Sequence, residues 1–303
     1  MSPPLSTIAS GPSAALQHRL LSLAFAANPF GRGYGRLTRA VARAFDPDNA
    51  ILVPVEGGQR IRVHLDDEYW TRVALGRARY EPEVGRILAA ARGATTHFCD
   101  LGANIGYWTL RAAPDFPHLT AVEAAPPTLA RLRANLRGLP RVRLHHAAVH
   151  RHSGGEMRFI CDRRRHAAAR LASEGMTPNN LNPGEELVPV STVCIDDLIP
   201  PGAPALVKLD VEGAEVAAID GGQRALNDGS VLIYEDHGAD RDCAPSARLL
   251  RREGVDIHAI EGTVRPMSSI AEIAALKTDR RKGYNFIAGV RGSALLASIL
   301  ERV

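Results

Sequence analysis

Hydrophobic positions along this chain first follow a helical spacing, and after Tyr80 they settle into an alternation of helix-like and strand-like runs. From Ala15 to about Phe45 the spacing is helical, interrupted by Asn28-Pro29 and by Gly31, Gly33 and Gly35. Two β-type runs follow, Ile51–Val55 and Arg60–His64, joined through Gly57-Gly58, and they predict a hairpin. Residues 1–16, rich in Ser, Pro and Ala, read as a frayed end. We therefore expect a helical and β-hairpin extension over residues 1–80 and an α/β domain over 81–303.

Pro82 opens the next helix, with Val84, Ile87, Leu88 and Ala91 on one face and Gly93 as its stop. Strand-like runs then recur at Thr96–Cys99, Leu119–Val122, Val142–Val149, Ala205–Leu209, Val231–Tyr234, Ile257–Ile260 and Tyr284–Val290. Helical runs fall between many of them. The rhythm breaks once, where Glu156–Ile160 and Leu187–Val193 predict two strands flanking a polar segment, residues 161–186. Strands alternating with helices imply a mostly parallel sheet with right-handed crossovers.

Composition narrows the class without naming a partner. The 303 residues are 45% hydrophobic and 23% charged, which excludes disordered, collagen-like and coiled-coil chains. All but three of the 37 basic residues are arginine, but they are spread along the whole chain as a compositional bias would spread them. A net charge of +4 is too mild to point to nucleic acid. Cys99, Cys161, Cys194 and Cys243 form no CxxC pair, so we expect reduced, buried thiols and a cytoplasmic location. The apolar run Leu20–Ala27 follows a Ser/Pro-rich stretch with no basic residue before Arg19, unlike a signal peptide. No run reaches the roughly 18 apolar residues of a membrane span.

The strongest chemical signal is Phe98-Cys-Asp-Leu-Gly-Ala-Asn-Ile-Gly-Tyr-Trp-Thr109. A buried strand delivers Asp100, and a turn carrying Gly102, Asn104 and Gly106 opens a helix. Those glycines permit a sharp turn and close approach of a ligand. Glu123 ends the next strand, where an acid accepts ribose hydroxyls. A dinucleotide would set its pyrophosphate on the helix N-terminus, and Asp100 repels it there. S-adenosylmethionine offers an ammonium and a ribose and carries no phosphate, so electrostatics favour it over NAD.

Several motifs in order resemble the FkbM-type methyltransferases of the class I S-adenosylmethionine-dependent fold. They are DLGANIGYWT at 100–109, VEAAP at 122–126, LHHAAVHRHSGGEMRF at 144–159, STVCIDDL at 191–198, VKLDVEGAEVAAIDGG at 207–222 and LIYEDHG at 232–238. RIRVHLDDEYW at 60–70 and YEPE at 80–83 are similar to that family's upstream region. The resemblance covers roughly residues 55 to 290. It implies a seven-stranded Rossmann-like sheet with helices on both faces, and methyl transfer to a hydroxyl of a sugar, glycan or polyketide-like metabolite. By position it implies that Asp100, Gly102, Asn104 and Gly106 hold the amino-acid end of the cofactor and Glu123 its ribose. Ala148 would lie by the adenine, and Glu81 would join the cofactor contacts. The arginine-rich segment and the Ala/Pro-rich start depart from the family pattern and leave the acceptor open.

Acids beyond two other strands are the candidates for chemistry. Asp210 and Glu212 follow Ala205–Leu209, and Glu235, Asp236 and His237 follow Val231–Tyr234. Central parallel strands would gather them at the cofactor's crevice. We expect Asp210 to orient the acceptor, with Glu235 or His237 as base. The plainer readings are helix N-terminal acids for Glu212 and Glu215, and for Glu235 a core carboxylate tied to Lys208 or an arginine. The four acids could hold a divalent metal, but no spacing fixes its geometry, so metal is the less favoured option. His145, His146, His150 and His152 lack metal-finger spacing. Arg163, Arg164 and Arg165 with Arg170 read as a solvated charge run before a phosphate grip. The alternatives to a methyltransferase are an NAD-dependent dehydrogenase and a catalytically silent nucleic-acid-binding relative, and a homo-oligomer stays open.

Overall fold

The computed structural model describes residues 7–28, 33–75, 80–162, 170–172, 176–211 and 213–303. Glu212 and Arg163 to Arg165 therefore lie outside the described residues, as does the Arg170 side chain.

The N-terminal part contains β1 (Ile8–Ala9), α1 (Pro12–Ala26), α2 (Tyr34–Ala42), β2 (Ala50–Pro54), β3 (Arg60–His64) and α3 (Glu68–Leu75). The expected hairpin is present as β2 and β3, and β1 adds a third antiparallel strand. This small sheet does not close a core of its own. Ile51, Ile61, Val63 and Trp70 pack into one cluster with Ile105, Leu110, Leu129 and Leu132 from beyond residue 80.

The next segment runs α4 (Pro82–Ala90), β4 (His97–Leu101), α5 (Tyr107–Ala112), β5 (His118–Glu123), α6 (Pro126–Leu136) and β6 (Val142–His146). Proline in the first turn starts both α4 and α6, where a missing N–H costs nothing. After it come β7 (Ala148–Val149), β8 (Glu156–Asp162), β9 (Arg170–Leu171) and β10 (Glu185–Val193). The single strand expected over Val142–Val149 is in fact two. The chain leaves the main sheet at Ala147, and β7 pairs instead with β10 in a four-stranded sheet ordered β7-β10-β8-β9. A run with no Gly or Pro to mark a break does not reveal a change of partner.

The remainder is α7 (Ile195–Leu198), β11 (Ala205–Leu209), α8 (Glu215–Asp220), α9 (Gln223–Asn227), β12 (Val231–His237), α10 (Ala244–Leu250), β13 (Val255–Ala259), β14 (Arg265–Met267), α11 (Ile270–Leu276), β15 (Gly283–Val290) and α12 (Ala294–Leu300). The main sheet has eight strands, ordered β14-β13-β15-β12-β11-β4-β5-β6, where seven were expected. The addition is β14, a three-residue edge strand too short to leave a periodic signal. Strands β12, β11, β4, β5 and β6 are mutually parallel, and β15 runs antiparallel between β12 and β13.

Two apolar layers cover this sheet, as a mostly parallel sheet requires. Leu101, Val207, Leu209, Tyr234 and Phe286 face one layer, while Phe98, Leu206, Ile233 and Ile287 face the other. The order reverses between β4 and β11, because β5 and β6 lie on one side and β11 and β12 on the other. That reversal opens a crevice beyond the strand ends.

Candidate active site

A cavity of about 830 Å³ occupies this crevice. Its lining includes Glu81, Asp100, Gly102, Asn104, Glu123, Ala148, Asp210, Glu235 and His237, so most of the expected site residues are brought together. Gly106 is not among them. It sits behind the wall as N-cap of α5 with φ +94, and a side chain there would strike Leu132 at 2.7 Å. Gly102 lines the cavity, yet its tight approach is to the protein itself. At φ +81, a Cβ would lie 1.8 Å from the Asp210 carbonyl oxygen, so the turn after β4 rests against the end of β11.

Four of the turn's backbone donors, those of Gly102, Ala103, Asn104 and Gly106, are taken by internal acceptors. Asn104 N–H donates to Glu123 Oε2 at 2.9 Å, and Gly102 and Ala103 N–H both donate to the Val122 carbonyl. Thr109 gives its N–H and its hydroxyl to Asp100 Oδ2, at 2.9 and 2.6 Å. Asp100 thus caps the first turn of α5 from inside the core, a favourable place for an anion. Burial still pushes its carboxyl above the usual range, against the pull of Lys208 and Thr109. Glu123 also accepts the Ala125 N–H at 2.9 Å, and burial pushes it up to about 7.

Lys208 lies opposite Asp100 in the register of β11 and β4, so both side chains share one face of the sheet. Its ammonium donates to Asp210 Oδ2 at 2.8 Å. Burial opposes this charge, but Asp210, Glu81 and Asp100 together hold the lysine protonated, above its ordinary range. Lys208 is therefore the counter-ion of Asp210 rather than of Glu235. Glu81 accepts Trp108 Nε1–H at 2.8 Å, and burial pushes its carboxyl up. Glu81 and Asn104 are two of the three described non-glycine residues with positive φ, at +39 and +51. Strained backbone of this kind collects at binding sites.

Alternation along β12 separates residues that were expected together. Glu235 shares the face of Ile233 and lines the cavity with His237, while Asp236 shares the face of Tyr234. Asp236 is fully buried away from the crevice, bonded to Lys277 Nζ at 2.5 Å and to the Ser246 hydroxyl at 2.6 Å. Its expected place in the crevice is thus corrected. His237 is exposed, and its Nδ1 accepts the Ala239 N–H at 3.1 Å. The neutral ring then carries its proton on Nε2 and acts as a donor. Glu215 takes the plainer role weighed for it, accepting the N–H groups of Val211 and Gly213 at the start of α8.

Five aromatic rings were missed. Tyr69, Trp70, Tyr80, Tyr107 and Trp108 line the cavity and touch one another, with Trp70 and Tyr107 stacked at 5.9 Å. Tyr69, Trp70 and Tyr80 lay in the EYW and YEPE segments and Tyr107 and Trp108 in the motif at 100–109, but no role was assigned to the rings themselves. Among the described residues, no group of three or more His, Cys, Asp or Glu is gathered to hold a metal ion. The cysteines are free, and Cys194 is half-buried at the cap of α7 rather than in the core as expected. Among the described residues no helix is long and apolar enough to cross a membrane.

Fold and site together define a Rossmann-like α/β protein with an acidic ligand cavity at the switch point of its sheet. Residues 100–285, more than half of the chain, match the model of the methyltransferase FkbM domain, and the chain belongs to that family. Among solved structures it is similar to the methyltransferase FkbM from Methylobacillus flagellatus KT, with 16% identity and a TM-score of 0.39 over 64% of this chain. That match spans 43% of the Methylobacillus chain. It is also similar to a putative O-methyltransferase from Klebsiella pneumoniae, with 14% identity and a TM-score of 0.38, over 72% of this chain and 83% of that one. A third is the O-methyltransferase from Bacillus cereus in complex with SAH, with 12% identity and a TM-score of 0.39, over 74% and 86%. No curated protein matches the chain.

Proposed function

We propose that this protein transfers a methyl group from S-adenosylmethionine to a hydroxyl of a sugar, glycan or polyketide-like metabolite. One observation carries the choice of cofactor. The N–H groups of Gly102, Ala103, Asn104 and Thr109 are given to Val122, Glu123 and Asp100, so the turn and the third position of α5 offer them to no phosphate. What faces the cavity on the side of β4 and β5 instead is carboxylate, from Asp100 and Glu123, which suits an ammonium and ribose hydroxyls and repels phosphate there. Family membership points the same way.

The cofactor would supply an electrophilic methyl on a sulfonium, and the chain would supply its placement. Asp100 and the Gly102 turn would hold the amino-acid end, Glu123 the ribose, and Ala148, buried on β7, the adenine. Asp210, fixed by Lys208, would orient the acceptor hydroxyl, and Glu235 would take its proton. His237 would donate a hydrogen bond to the acceptor. Residues 1–80 would act as an extension to a methyltransferase domain at 81–303, reaching the site through Tyr69 and Trp70.

Titration calorimetry with S-adenosylmethionine, S-adenosylhomocysteine and NAD tests the cofactor. Binding of the first two and not of NAD is expected, and NAD binding alone would overturn the reading. Labelled S-adenosylmethionine incubated with hydroxylated and amino acceptors then tests the direction of transfer.

A further inference from the structure

The cavity has two chemically different ends. Asp100, Asn104, Glu123 and Ala148 belong to the side of β4 and β5, while Glu235, His237, Arg281, Lys282 and Gly283 belong to the ends of β12 and β15. Strands β4 and β15 are three places apart in the sheet, about 14 Å at the usual strand spacing. The far end is therefore the place for the acceptor, on the methyltransferase reading given above.

That end is acidic at its floor and cationic at its mouth. Asp210 and Glu235 line it within, Arg281 and Lys282 of the turn before β15 line it where the chain is exposed, and Arg72 of α3 is an exposed residue on the lining of the same cavity. Lys282 is engaged, donating to Glu261 at 2.6 Å and lying over the Tyr284 ring. Among the described residues, neither the Arg72 nor the Arg281 side chain has an ion-pair partner. The turn that presents Arg281 is held in place. Its N–H donates to Asp279 Oδ1 at 2.9 Å, the Asp279 N–H donates to the Tyr284 hydroxyl at 2.8 Å, and Gly238 N–H donates to the Lys282 carbonyl at 2.8 Å. Two planar guanidinium groups reaching one cavity from separate elements suit a carboxylate or phosphate oxygen pair. A neutral polyol could accept their N–H groups but would leave their charge unmatched.

We propose that the acceptor carries an anionic group, carboxylate or phosphate, which Arg281 and Arg72 bind at the mouth while its hydroxyl reaches Glu235 and Asp210. The anion fixes which hydroxyl enters, and the acids act only on that one.

The test uses the full chain loaded with S-adenosylhomocysteine, so cofactor binding is verified first and its failure is read separately. Matched probes are glucose, glucuronate and glucose 6-phosphate, and 4-hydroxybenzyl alcohol against 4-hydroxybenzoate, followed by calorimetry or Trp70/Trp108 fluorescence. At least one anionic probe should bind about tenfold tighter than its neutral match, and added salt should narrow the gap. Glucuronate against glucose 6-phosphate tells carboxylate from phosphate. Arg281→Gln and Arg72→Gln should abolish the preference and leave S-adenosylhomocysteine affinity unchanged. Equal binding within every pair, no binding of any anion, or a preference that survives both substitutions would overturn the proposal.

Discussion

Trp70 Nε1 donates to Asn104 Oδ1 at 3.0 Å, tying the N-terminal extension to the left-handed residue of the turn after β4. Asn104 in turn gives its N–H to Glu123, so one indole helps to set the two groups assigned to the cofactor. The substitution Trp70→Phe keeps a buried ring and removes the donor. A lost hydrogen bond of about 1 kcal/mol predicts roughly fivefold weaker S-adenosylmethionine binding by calorimetry. Thermal stability should change little, since the aromatic packing against Tyr80 and Tyr107 survives.

Two glycines at the cavity predict opposite phenotypes. In Gly102→Ala the new methyl group meets backbone, 1.8 Å from the Asp210 oxygen, in a left-handed conformation. A loss above about 4 kcal/mol is expected, read as a collapse of the melting temperature. In Gly283→Ala the new methyl group meets the Glu235 carboxylate 2.0 Å away, the movable end of a side chain. That variant should fold and bind cofactor normally, with turnover reduced about 100-fold as Glu235 is displaced. Gly138→Ala, with nothing within 4 Å, is the silent control.

Much of this arrangement was legible in the chain. The strand–turn–helix around Asp100 and the acid ending β5 stand where the Gly102–Gly106 spacing puts them, because local turn chemistry fixes them. What stayed hidden depends on pairing across the fold. The split at Ala147 follows from a partner contributed by β10, some 45 residues later. The aromatic wall joins α3 to α5, and only tertiary packing brings those rings together. The separation of Glu235 from Asp236 was readable, since period-two alternation places neighbours on opposite faces, but the strand had to be extended past Tyr234 to apply it.

That separation gives a paired prediction. Asp236→Asn leaves Lys277 buried without its carboxylate, which should cost about 3–5 kcal/mol, with S-adenosylmethionine affinity unchanged in whatever remains folded. Asp210→Asn takes one of three carboxylates from the buried Lys208 and leaves Glu81 and Asp100, so it should cost less, about 1–3 kcal/mol in stability. Its turnover should fall about 100-fold. Melting curves beside single-turnover rates distinguish the two, and equal effects on both readouts would remove Asp210 from the site.

Glu123 makes cofactor binding depend on pH. Its carboxyl is raised by burial from 4.5 to about 7 in the folded protein. Between those values the folded state holds a proton that the unfolded chain has released, so this group's contribution to stability is full below about 4.5 and is lost as pH rises through 7. Ligand binding runs the other way. Ribose hydroxyls donate to the ionised carboxylate, and its two backbone donors, Asn104 and Ala125, favour that form once the site is filled. S-adenosylhomocysteine should therefore bind more tightly as pH rises from 6 to 8 (about tenfold) and release a proton, seen as buffer-dependent heat. In Glu123→Gln the slope should vanish, and stability should no longer fall between pH 5 and 7. A slope that persists in that variant would move the titrating group elsewhere, Asp100 being the next carboxylate raised by burial on the same side of the cavity.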